Sequence, residues 1–138
     1  MPESHLQERK ERVAAIIIRD KKVLLVTGHD EKMYWTPGGG IEVGEDHSAT
    51  LRRELQEELD IECITIEPYF NCTVINEATG NVEVNFYYQL EYRGTPKSCS
   101  EITKIYWLSQ EEFKQNILPL PKGIRIDVME RLINDELI

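Results

Sequence analysis

The stretch Gly39-Gly40-Ile41-Glu42-Val43-Gly44-Glu45, followed after seven residues by Arg53-Glu54-Leu55-Gln56-Glu57-Glu58-Leu59-Asp60-Ile61, sets a cluster of carboxylates directly behind a glycine loop. At about 100° per residue, Glu54, Glu57 and Glu58 stand at i, i+3 and i+4, so a helix brings them onto one face. Like charges at that spacing repel by roughly a few tenths of a kcal/mol, and a bound divalent cation reverses the sign. Carboxylates so placed are equipment for holding metal against a pyrophosphate. Leu51, Leu55 and Leu59 recur every fourth residue, a stripe that faces a core about a quarter-turn from the carboxylates.

This window resembles the Nudix box, the signature of the Nudix (MutT-like) hydrolases, G-x5-E-x7-R-E-U-x-E-E-x-G-U with U a bulky aliphatic residue. Gly39, Glu45, Arg53, Glu54, Leu55, Glu57, Glu58 and Ile61 fill its fixed positions, and Asp60 stands where the family has glycine. A helix end commonly needs a residue with positive φ, which aspartate adopts at a cost of about 1 kcal/mol. The departure therefore bears on the helix terminus and not on the chemistry. The likeness covers nearly the whole chain in layout, but only residues 34 to 61 in specific motif.

A chain of 138 residues with 41% apolar content is the size of one globular domain, 1–138. Its net charge of -9 argues against a surface that grips a nucleic-acid polymer, which relies on clustered Lys and Arg. Cys63, Cys72 and Cys99 are odd in number and lack C-x-x-C spacing, so they suggest neither a disulfide framework nor a zinc site, and a reducing cytoplasm is the simplest home. Met1 to Arg12 is charged and lacks the apolar run of a signal peptide, and no uninterrupted apolar stretch is long enough to cross a membrane.

Val13 to Ile18 and Val23 to Val26 are apolar runs joined by Asp20-Lys21-Lys22, which together read as a buried hairpin. Thr27 to Met33 reads as a polar loop and Tyr34 to Thr36 as a short strand. Pro37 leads extended into the Gly38–Gly40 loop, and the box helix starts near Asp46 or Ser48. Glu62 to Cys72 is a strand, residues 76–81 hold a turn, and Val82 to Tyr92 alternates as a long half-buried strand. Ile102 to Leu108 is another strand. Ser109 with Glu112 forms a capping-box pattern, and Gly123 to Leu137 carries the apolar stripe Ile124, Val128, Leu132 and Ile133. Strands on both sides of a helix, closed by a second helix, predict an α/β (α+β) fold with a mixed β-sheet packed between helices. The resemblance sharpens this to the Nudix α/β/α sandwich.

The resemblance implies hydrolysis of a phosphoanhydride with Mg2+, or Mn2+ in its place, which takes carboxylate oxygens together with phosphate oxygens. It implies Glu57 and Glu58 as principal metal ligands and Glu54 as a further ligand or the base that activates water. It likewise implies that Arg53 orients Glu54 and that the Gly38 carbonyl contacts metal. Many relatives add a carboxylate from a later loop ahead of a Trp. Glu101, six residues before Trp107, takes that place as an outlying ligand or alternative base. Glu45 is open between metal shell and helix capping. Trp35 is open between stacking on a base and lining the core, while His29 and His47 read as incidental.

The substrate implied is a small nucleotide, either a (deoxy)nucleoside triphosphate or a nucleotide sugar. ADP-ribose or another dinucleotide, or a non-catalytic nucleotide-binding module, are the alternatives. Family marks for the ADP-ribose and diadenosine polyphosphate subgroups fall at Glu77-Ala78-Thr79, which matches neither, and Thr27-Gly28 stands where many triphosphate members have Arg. A loose calcium-binding protein is disfavoured by the absence of a D-x-[DN]-x-[DN]-G loop. Family members are often homodimers, a point on which the surface pattern is silent.

Overall fold

Val13 to Ile18 is apolar at every position, and a strand without a polar face must be covered on both sides. The computed structural model of the protein, which describes residues 9–75 and 79–138, shows how this is met. In chain order the elements are β1 (Arg9–Ile16), β2 (Ile18–Arg19), β3 (Lys22–Thr27), β4 (Gly38–Gly40), α1 (His47–Leu59), β5 (Glu62–Ile75), β6 (Val82–Arg93), β7 (Lys104–Ser109) and α2 (Gln110–Lys114). A π-helical stretch, Ile124–Met129, then runs directly into α3 (Glu130–Asn134).

The strands form two sheets. One has the order β4-β1-β6-β5, with β1 parallel to β6 and the other pairings antiparallel. The other is the antiparallel β2-β3-β7. Val13, Ala15 and Ile17 join Leu51, Leu55 and Leu59 of α1 in one core. Ala14 and Ile16 join Ile124, Val128, Met129 and Leu132 of the C-terminal helical segment in the other. Sheet is thus packed between helices, as expected, and the leucine stripe of α1 faces it as drawn from the sequence.

Several expectations are corrected in detail. The predicted hairpin is divided: β1 crosses to the four-stranded sheet, and only Ile18–Arg19 pairs with β3. A run whose alternate residues serve two cores suits a central strand better than a hairpin arm. The turn is the pair Asp20-Lys21, with φ of 52° and 61°, and a two-residue primed turn needs positive φ at both positions. Gly38–Gly40, expected as loop, is an edge strand. A Cβ on Gly38 would lie 2.0 Å from the Val13 carbonyl oxygen, so only glycine lets this backbone approach β1 so closely. Tyr34–Thr36 is reduced to a single bridge in which Trp35 and Val26 exchange backbone hydrogen bonds of 2.8 and 2.9 Å. β6 spans the predicted strand and is central, with Tyr87 buried beneath the C-terminal helical segment.

Other readings coincide with the structure. α1 begins after its N-cap Asp46, whose side chain accepts from the Ala49 N–H. It ends at Asp60, left-handed at φ 55° and ψ 45°, so aspartate adopts the conformation for which the family pattern has glycine. Ser109 and Glu112 form the reciprocal capping box at the start of α2. All three cysteines are unpaired, and among the described residues no helix is long and apolar enough to cross a membrane. Residues 76–78 of the predicted turn, including Glu77 and Ala78 of the substrate mark, and the start of the N-terminal segment lie outside the described residues.

Leu55 is fully buried where α1 meets the sheet. Leu55→Ala should therefore lower the free energy of unfolding by about 2 to 5 kcal/mol in a denaturant titration, with the native fold retained.

Candidate active site

α1 presents its carboxylates at the seam where its C-terminal half passes β4. Glu58 is only 8% exposed, and its Oε1 accepts the Gly38 N–H at 3.1 Å. Burial is the main reason its carboxyl is pushed up to about 7, and the charges of Glu54 and Glu101 add to that. The Gly38 hydrogen bond and the positive charge of Arg12 oppose the shift. Glu54 is also raised, first by burial and then against the pull of Arg53, with Glu57 and Glu101 contributing repulsion. Burial and neighbouring carboxylates together outweigh the positive charge of Arg53 and Arg12 at this cluster.

Arg53 orients this cluster. Its Nη1 donates to Glu54 Oε1 at 2.9 Å, while Nε and Nη2 grip both oxygens of Glu45 at 2.7 and 3.0 Å. The Glu42 N–H and the Thr50 hydroxyl also donate to Glu45 Oε1. Arg53 is the first cause holding the Glu45 carboxyl down at about 2. Glu45, left open between metal shell and helix cap, clamps Arg53, while Asp46 caps the helix. His47, read as incidental, pins the start of α1 to the sheet through Tyr88 Oη at 2.6 Å and Glu11 Oε1 at 2.9 Å.

Gly38, Gly39, Glu54, Glu58 and Glu101 line one cavity of about 750 Å3, a volume suited to a small-molecule ligand. The loop carrying Glu101 is tied to the end of α1, since Lys97 N–H donates to the Leu59 carbonyl and Cys99 N–H to that of Glu58. Glu57 is not among the lining residues. Its side chain is 54% exposed and stands 3.7 Å from Arg53 Nη1. Among the described residues no three acidic, imidazole or thiol groups are close enough to hold an ion as they stand. The donor set nonetheless fits a hard dication: oxygen ligands, one of them buried, raised in pKa first by burial and then by the neighbouring carboxylates.

Comparison with known proteins identifies the family. The model of a family described as the NUDIX domain matches residues 8–130. The chain belongs to the NUDIX domain family. As a member of it, the chain is a pyrophosphohydrolase. Among solved structures, the E. coli ORF135 protein is similar at 27% identity and a TM-score of 0.77, over 94% of this chain and 92% of that one. The MutT protein from Methanosarcina mazei Go1 shares the fold at 20% identity and a TM-score of 0.78, over 94% and 96% of the two chains. The MutT NUDIX hydrolase from Burkholderia pseudomallei does so at 22% identity and a TM-score of 0.77, over 91% and 99%. A search of curated proteins finds no match.

Sequence reasoning missed part of the wall of the NUDIX cavity. Arg12, Gly28, Ser100, Ile102 and Thr103 line it, as does His29, taken as incidental. Trp35, open between core and base stacking, packs against the core and also borders the cavity. Arg12 gave no signal, because a charged residue ahead of an apolar run looks like the solvated start of a strand.

Two glycines divide the labour here. A Cβ on Gly39 would fall 2.4 Å from Glu54 Oε1, whereas one on Gly38 would strike backbone. Gly39→Ala should leave the melting temperature within about 3 °C and reduce turnover at least about 10-fold by displacing Glu54, while Gly38→Ala should be strongly destabilised.

A second expectation concerns pH. Glu58's raised folded pKa means that its protonation favours the fold. That contribution is complete below the ordinary 4.5 and is lost as pH rises through about 7. In chelator, wild type should therefore lose up to roughly 3 kcal/mol of stability relative to Glu58→Gln between about pH 5 and pH 8, and the gap should narrow when magnesium is added.

Proposed function

We propose that the chain, acting as one domain, is a Mg2+-dependent hydrolase of the phosphoanhydride bond in a nucleoside diphosphate linked to a further group, a (deoxy)nucleoside triphosphate or a nucleotide sugar. The observation that carries this reading is the placement of Glu54, Glu58 and Glu101 around one cavity, with Glu58 buried and its carboxyl pushed up to about 7. Three unpaired cysteines accord with a cytoplasmic setting.

Glu54, Glu57 and Glu58, with Glu101 and the Gly38 carbonyl, would hold the ion. Bound there, magnesium or manganese would supply the positive charge that neutralises the phosphates and makes the attacking water more acidic. The residues of the chain do the rest. Arg53 engages Glu54 Oε1, which leaves Oε2 to take the proton of the attacking water, and Glu45 keeps Arg53 from swinging away. Glu101 presents a further carboxylate from the opposite loop. Trp35 offers an apolar edge beside Gly28, where a Cβ would come within 3.4 Å of the ring. The small Gly28 therefore keeps that side of the cavity open to the organic part of a substrate.

Incubation with nucleoside triphosphates, nucleotide sugars, ADP-ribose and dinucleotides in magnesium, followed by product identification, tests the reading. Cleavage of a phosphoanhydride in at least one class is expected, and Glu57→Gln and Glu58→Gln should each lower it at least about 100-fold while folding at least as stably as wild type. Thermal stabilisation by a nucleotide with no turnover of any compound would instead indicate a binding module.

A further inference from the structure

Arg12 is the one Lys or Arg among the described residues that line the active-site cavity. It lies on β1 between Gly40 of β4 and Asn85 of β6, half-buried, on the wall that also carries Gly38, Gly39, Glu54 and Glu58. Other arginines are committed: Arg52 and Arg53 to hydrogen bonds, Arg93 to Glu62, Arg125 to Asn116, Arg19 and Arg131 to aromatic rings. The Arg12 side chain makes no hydrogen bond, ion pair or ring contact among the described residues. Its charge is still felt at the Glu58 carboxyl and the Tyr87 phenol, which places the guanidinium beside the acidic cluster without pairing to it.

A guanidinium offers five donors in a planar fork that matches non-bridging phosphate oxygens, and a half-buried one without a partner is poorly solvated until such a group arrives. The rest of the cavity is acidic or neutral, in a chain of net charge -9. A dication held by the glutamates would supply positive charge around the scissile bond. A triphosphate then retains charge on its remaining phosphate, where a nucleotide sugar offers only hydroxyls.

We propose that Arg12 is a specificity-determining residue that binds the non-bridging oxygens of that additional phosphate and selects a nucleoside triphosphate over a nucleotide sugar. The inference rests on the pyrophosphohydrolase reading above. Arg12 engages phosphate directly, and Glu54, Glu57, Glu58 and Glu101 keep the roles assigned to them.

Calorimetric binding of inorganic tripolyphosphate and of ADP-ribose, in calcium to suppress turnover, compares wild type with Arg12→Ala and Arg12→Lys. Arg12→Ala should weaken tripolyphosphate binding at least about 10-fold and ADP-ribose binding by a clearly smaller factor, with Arg12→Lys recovering part of the loss. In turnover, KM for a triphosphate should rise by a similar factor while kcat changes little. Equal weakening of both ligands, no weakening of either, or a fall in kcat at constant KM would overturn the proposal. Should Arg12→Ala fail to fold, Arg12→Gln supports the same comparison. Wild type that cleaves no phosphoanhydride would sink the enzymatic reading, whereas the binding comparison would still judge Arg12.

Discussion

The burial of the Glu58 carboxylate against the Gly38 N–H is the constraint on which the rest of the structure depends. Removing a carboxylate from water is costly unless it meets positive charge, and one backbone donor does not suffice. The carboxyl responds by rising to about 7. The site is therefore held in an unfavourable electrostatic state that a dication would relieve. Gly38 makes the contact feasible because no other residue allows β4 to lie so close to Val13. The fully buried Leu51, Leu55 and Leu59 hold α1 in place against the repulsion on its neighbouring face.

Around that contact, each part of the site is fixed by something other than the carboxylates themselves. Arg53 fixes Glu54, and Glu45 fixes Arg53 through a bidentate pair, the geometry in which an arginine gives most directional control. Backbone bonds from Lys97 and Cys99 join the Glu101 loop to the last turn of α1, so the two acidic walls are mechanically linked. The His47 contacts with Glu11 and Tyr88 anchor the other end of the helix. Repulsion among the acids is thereby resisted by hydrogen bonds and packing at both ends of α1. A site organised in this way offers oxygen ligands around an open cavity.

What could be read from the sequence was local and periodic. The box helix and its leucine stripe follow from residue spacing, a start near Asp46 or Ser48 from capping preference, and the left-handed end at Asp60 from the glycine of the family pattern. So does the Ser109–Glu112 capping box. The hairpin was misjudged because periodicity reports that a run is apolar and not how many cores it serves: Val13 and Ala14 belong to different ones. The glycine strand escaped notice because its cause is an approach of backbone to β1, a contact between segments distant in sequence. Arg12 and Glu45 were obscured in a similar way. Their meaning lies in what stands across from them in space, a cavity for one and a guanidinium for the other.

The central claim, that this carboxylate cluster exists to hold dications, is tested most directly by anomalous diffraction from crystals soaked in manganese. The account predicts a manganese peak in the cavity within coordinating distance of Glu58 and at least one of Glu54 and Glu57. An empty cavity, with those side chains turned away from one another toward solvent, would contradict it.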